Sequence, residues 1–173
     1  VGILGAMALW SSKSLAEILD PYLVMLNSLP KSALAPILIV WLGSSMRTIV
    51  AAAVSVAVFG SILTLHNGFM SMDPDQARLI RSLGGGKREI LFKVLLPGSV
   101  PLIISNMKVN VGLCLVGVII GEFLAARLGL GYLIIYGSQV FKLDLVLMSI
   151  VILCILAALM YQGIALAERR AER

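Results

Sequence analysis

The chain has 173 residues, 60% hydrophobic and only 13% charged, with a mean hydropathy of +1.02. A soluble domain averages about half apolar and about a quarter charged, so the composition excludes an ordinary soluble domain and indicates an integral membrane protein. Its formal charge of +5 would suit nucleic acid, but the basic residues follow membrane topology; 6% aromatic content and the lack of alternating strands favour helices over a barrel.

A span needs about 20 apolar residues to cross a hydrocarbon core of roughly 30 Å. Residues 1–10 are apolar but too few, and read as the tail of an earlier helix in a chain whose N-terminus is missing. Residues 21–42 make a weaker span, broken by Pro30, Lys31 and Pro36, whereas 47–69, 99–121 and 143–167 qualify cleanly. The expected architecture is an all-α membrane domain over residues 1–167, with about four full spans, and a tail at 168–173. Cys114 and Cys154 lie in apolar runs without CxxC or Cys/His spacing, and read as small buried hydrophobes rather than a disulfide or metal site.

Basic residues set the orientation. With the tail cytoplasmic, alternation places Lys13, Arg78, Arg81, Lys87, Arg88, Lys93, Arg169, Arg170 and Arg173 inside. Only Arg47, Arg127 and Lys142 fall outside, and nine against three selects this orientation. Residues 71–98 are then a cytoplasmic loop, and Trp10 and Trp41 fit interfacial anchors near opposite faces.

Within that loop, Asp73-Pro74-Asp75 starts a helix, with proline in the first turn and carboxylates at the positive dipole end. Leu79, Ile80 and Leu83 share one face, while Arg78, Arg81 and Ser82 lie toward the other. Gly84-Gly85-Gly86 stops the helix. Ile90, Leu91, Val94 and Leu95 repeat the spacing on a second short helix, ended by Pro97, and Pro101 opens the next span. The pattern suits either an interfacial anchor or a docking element. It is not a nucleotide loop, because Arg88 rather than Ser or Thr follows Lys87.

Residues 73–101, DPDQARLIRSLGGGKREILFKVLLPGSVP, resemble the EAA loop of binding-protein-dependent ABC importer permeases, with Gly84 and Leu96-Pro97 at the family's spacing. LPKSALAPILIVWLG at 29–43 and GEFLAARLGLGYLI at 121–134 resemble two further stretches of its nitrate/sulfonate/taurine branch. Arg78 stands where the family has Glu, and Leu79 and Ile80 where it has two alanines. The resemblance implies the type I ABC importer transmembrane fold. It also implies that the loop is a coupling helix seated on a cytoplasmic ATPase, with Asp75, Ala77, Arg78, Arg81, Leu83, Gly84, Lys87 and Pro97 as coupling residues. Implied partners are two ATPase subunits that bind ATP and Mg, a second and identical permease, an extracytoplasmic solute-binding protein and the lipid of a bacterial inner membrane. No cofactor is expected in this chain, and no catalytic residue. The implied substrates are small anions such as nitrate, sulfonates or taurine, although relatives with very similar motifs carry pyrimidine precursors.

The polar residues of the spans admit two readings each. Lys31, between Pro30 and Pro36, lines a pathway or gate, or snorkels to the interface. Asn106 and Asn110 share a helix face, and Lys108 points elsewhere, either to a structural contact or to substrate. Glu122 serves an outer gate or is a solvated carboxylate at a helix end. Gly117 and Gly121 form a small-xxx-small step, and His66 is an interfacial or packing histidine. A secondary transporter or channel is the rival. It calls for internal repeats or a chain of ionisable residues, neither of which is found.

Overall fold

The computed structural model describes residues 1–171. Arg173, and the side chains of Arg169 and Arg170 that entered the charge asymmetry, lie outside the described residues. The described chain is helical throughout. It comprises α1 (Gly2–Ser11), α2 (Lys13–Ser28), α3 (Lys31–Leu42), α4 (Met46–Met70), α5 (Pro74–Ser82), α6 (Lys87–Ile90), a wide π-turn (Leu91–Leu95), α7 (Leu96–Gly98), α8 (Val100–Ala125), α9 (Leu130–Gln139) and α10 (Leu143–Ala171). Three helices, α4, α8 and α10, are long and apolar enough to cross a membrane. They match the three clean sequence spans within a few residues.

The centre of the bundle is an antiparallel pair, α4 against α8. Its contact face on α4 is built from Ala52, Ala53, Ala57 and Ser61, and on α8 from Gly117 and Gly121. A Cβ at Gly117 would lie 2.5 Å from Ala53 Cα, and one at Gly121 would lie 2.9 Å from Ile49 Cα. The backbones therefore touch, as the small-residue step predicts. In lipid, where apolar burial gains little, such close dispersion contact is what holds helices together. Asn106 Nδ2 donates to Ser61 Oγ at 2.7 Å further along the same seam.

Around this pair, α1 runs alongside α4, with Ala6, Leu65 and Phe69 buried together with Leu91 and Leu95 of the wide turn. Trp10 packs against this cluster and is half-buried, whereas Trp41, 78% exposed, is free to face lipid. Helices α2 and α3 meet at a bend of 92°, and together they make either a broken span or a re-entrant loop. The break falls at Leu29–Pro30, where the sequence placed it, but Pro36 lies inside α3 without ending it. In the second turn its missing N–H removes the bond that would run to the Ser32 carbonyl, and the helix continues past the defect.

The stretch 122–142, which the alternation placed outside, contains α9, lying against α8 and α10. Two other expectations need correction. Cys154, read with Cys114 as a small buried hydrophobe, is exposed, and Cys114 is only half-buried. Pro97 does not end the second loop helix either, because the helical path continues through Gly98 and, after a turn at Ser99, into α8. Pro97 has no N–H for the Lys93 carbonyl, and its ring would crowd that carbonyl. The π-turn, closed by Leu96 N–H on the Leu91 carbonyl, relieves the conflict.

Candidate functional site

The loop between α4 and α8 is built residue by residue for a fixed shape. The Asp73 carboxylate caps α5 by accepting from Asp75 N–H at 2.9 Å. Asp75 in turn pairs with Arg78 at 2.8 Å, but both side chains are about three-quarters exposed, so the pair contributes at most about 1 kcal/mol. At the other end, Gly85 N–H donates to the Ile80 carbonyl at 2.9 Å and Gly84 N–H to Arg81 at 3.0 Å. This is a Schellman closure, and it requires a left-handed residue, met by Gly84 at φ +82°. Gly86 opens α6, its N–H held by the Glu89 carboxylate at 2.8 Å. Bonds from the backbone N–H of Glu89 and Gly86 hold that carboxyl below the usual carboxylate range.

The two halves of the loop differ in what their apolar faces touch. Ile90, Leu91 and Leu95 are buried in the bundle. On α5 no residue is buried: Leu79 is 61% and Leu83 76% exposed, with Ala77 and Ile80 half-covered. Helix α5 thus projects an unpartnered apolar face, fringed by Arg78 and Arg81, from a base locked into the core. Such an arrangement can dock on a partner and transmit force.

The pathway candidates do not converge. Lys31 Nζ reaches back across the bend to the Leu26 and Asn27 carbonyls, the latter at 2.9 Å, and lies 5.5 Å from the Phe59 ring centroid. It fastens α2, α3 and α4 together, with Pro30 forming the N-cap of α3. Asn106 is buried against Ser61. Ser61 is two residues from Phe59, about 200° around the helix, so Lys31 and Asn106 approach α4 from different sides. Lys108 pairs with Glu168 on α10, both side chains about four-fifths buried, and sits 5.7 Å from the Tyr161 ring. Glu122 is neither free nor fully solvated, since its carboxylate accepts from Gly131 N–H at 2.7 Å and caps α9.

The whole chain, residues 1–173, matches the family described as "Binding-protein-dependent transport system inner membrane component". The protein belongs to that family. This inner-membrane component is 27% identical over 170 residues to the taurine transport system permease protein TauC of Escherichia coli, covering 98% of this chain and 62% of that protein. It is 26% identical over 163 residues to a probable ABC transporter permease protein of Haemophilus influenzae, covering 94% and 66%. Over 132 residues it is 29% identical to the formylaminopyrimidine transport permease protein ThiX of Halalkalibacterium halodurans, covering 76% and 53%. It therefore spans roughly half to two-thirds of the length of these relatives.

Some residues that shape this ABC permease chain escaped the sequence reading. Glu89 was legible, because Gly86-x-x-Glu89 is the spacing of a helix-start cap. Glu168 as the partner of Lys108 was not, because no local spacing links positions 60 residues apart.

Proposed function

We propose that this chain is the transmembrane permease subunit of an ATP-driven importer, with residues 71–98 as the coupling element for a separate ATPase. The observation that carries the reading is α5. It is a capped helix with Leu79 and Leu83 exposed, suspended between the two most tightly packed spans. Docked in a cytoplasmic ATPase subunit, α5 is pushed when two such subunits close on ATP and Mg, and the α4–α8 pair tilts with it. Asp75, Ala77, Arg78, Arg81, Leu83, Gly84, Lys87 and Pro97 are assigned to this element by position. The orientation with loop and C-terminus cytoplasmic rests on the distribution of basic residues.

A second copy of the permease and an extracytoplasmic binding protein complete the assembly. The relative named for taurine transport, together with the sequence stretches of that branch, supports a small anion as substrate. The bend at Pro30, with Lys31 across it, is assigned to the wall of the pathway, because a broken helix at membrane depth lines a cavity or packs on protein. Asn106, Lys108 and Glu122 act as ties that hold the wall in place.

The test is co-purification of the full-length protein in mild detergent, followed by crosslinking from Arg81→Cys. Capture of an ATPase subunit at that cysteine is the expected result, and a partnerless protein that still moves solute overturns the proposal. Gly84→Val separates coupling from folding. The space around Gly84 is open, so the cost is backbone strain alone, about 1–2 kcal/mol. Membrane insertion is expected to persist while ATP-driven uptake in vesicles falls, and unchanged uptake would count against the lever.

A further inference from the structure

At the end of the bundle that carries α5, a cleft of about 250 Å³ opens where the α1–α2 junction, the end of α4, α5 and α6 meet. Lys13, Arg81 and Lys87 line it from three different segments, together with His66, Trp10 and Ile90. Among the described residues neither Arg81 nor Lys87 makes an ion pair, and Lys13 has only a 3.8 Å contact to Glu17, with both side chains well exposed. His66 is only 8% exposed, and its Nδ1 is buried without a hydrogen-bond partner. Three cations gathered at one cleft repel one another unless an anion lies between them. The rest of the lining is apolar, with the Trp10 ring on one wall and Ile90 on another.

We propose that this cleft is a binding site for an anionic phospholipid of the leaflet at that end of the bundle. Lys13, Arg81 and Lys87 hold the headgroup phosphate, and the His66 side chain forms part of the wall. The apolar lining receives the start of the acyl chains. Basic pockets between spans at a membrane face select phosphorylated headgroups in this way, and the apolar wall favours a lipid over a free anion, which has no use for it. Arg81 and Lys87 of this site belong to the coupling loop, but the lipid proposal does not depend on the ATPase assignment, so it is tested by binding alone.

The experiment is native mass spectrometry of the full-length, delipidated protein given equal phosphatidylglycerol and phosphatidylcholine. Phosphatidylglycerol is expected to be retained roughly tenfold better. Lys13→Gln, at a side chain 90% exposed, should lower that preference severalfold, and adding Lys87→Gln should bring it near parity. Retention should also decline with salt, because the charges at the rim are screened beyond about 8 Å at physiological ionic strength. Equal retention of the two lipids, or a preference unmoved by Lys13→Gln and Lys87→Gln, overturns the proposal. Displacement of phosphatidylglycerol by millimolar inorganic phosphate also overturns it, in favour of a site for a soluble anion.

Discussion

Glu89 and Glu122 do the same work at opposite ends of the bundle, each lending a carboxylate to the backbone N–H groups that start a short helix. Replacing Glu122 with Ala leaves the Gly131 N–H without its acceptor in a half-buried setting, a loss of about 1–3 kcal/mol. Thermal unfolding of the purified full-length protein should register it, and Glu122→Gln, which keeps an acceptor oxygen, should recover most of the loss. Glu89 is exposed, and its effect is local and pH-dependent. Because its folded carboxyl lies below the ordinary value of 4.5, its contribution is fully present above that value and lost as pH falls through the lowered one. Amide exchange at Gly86, corrected for its intrinsic pH dependence, should lose protection over that acid range in the native protein, and Glu89→Ala should abolish the step. The sequence carried the Glu89 signal in its spacing, while Glu122 looked like a gate or a solvated end because the helix it caps was not foreseen.

The elements legible in the sequence are those whose length alone decides them. Spans α4, α8 and α10 are unbroken apolar runs that have no other stable form in lipid. Helix α9, with ten residues, falls below any spanning length, and its glycines read equally well as loop. The Gly117–Gly121 step was visible as a pattern, but its partner was not. The contact is with Ile49 and Ala53, and it makes a sharp contrast testable. Gly117→Val drives a side chain into the Ala53 backbone and should cost toward the upper end of about 1–3 kcal/mol. Gly112→Ala, on the same helix with open space around it, should instead stabilise by roughly 0.5–1 kcal/mol. Melting temperatures of the two variants moving together would refute the backbone contact.

For the molecule as a whole, burial is concentrated along the α4–α8 seam and in the cluster beneath the loop, while α2 buries no residue at all. Helices with few buried contacts open first. Hydrogen exchange on the full-length protein in detergent should therefore find α2 among the fastest helices and the facing segments of α4 and α8 among the slowest. Equal protection in α2 and α4 would contradict this ranking. The sequence exposed the loop as a site because its charges and glycines interrupt an apolar chain. It did not expose the polar ties, because Lys108 and Asn106 find their partners only after the helices have packed, and Lys31 meets the Leu26 and Asn27 carbonyls only through the bend. The wide turn at Leu91–Leu95 has one more consequence. On an ordinary α-helix Ile90 and Leu95, five residues apart, would point about 140° away from each other, yet both are 97% buried in the same interior. The surplus residue in that turn works as a phase shifter, dialling the loop helix and the span behind it onto a common bearing. The direction in which the loop helix points is therefore set by residue count as much as by residue type.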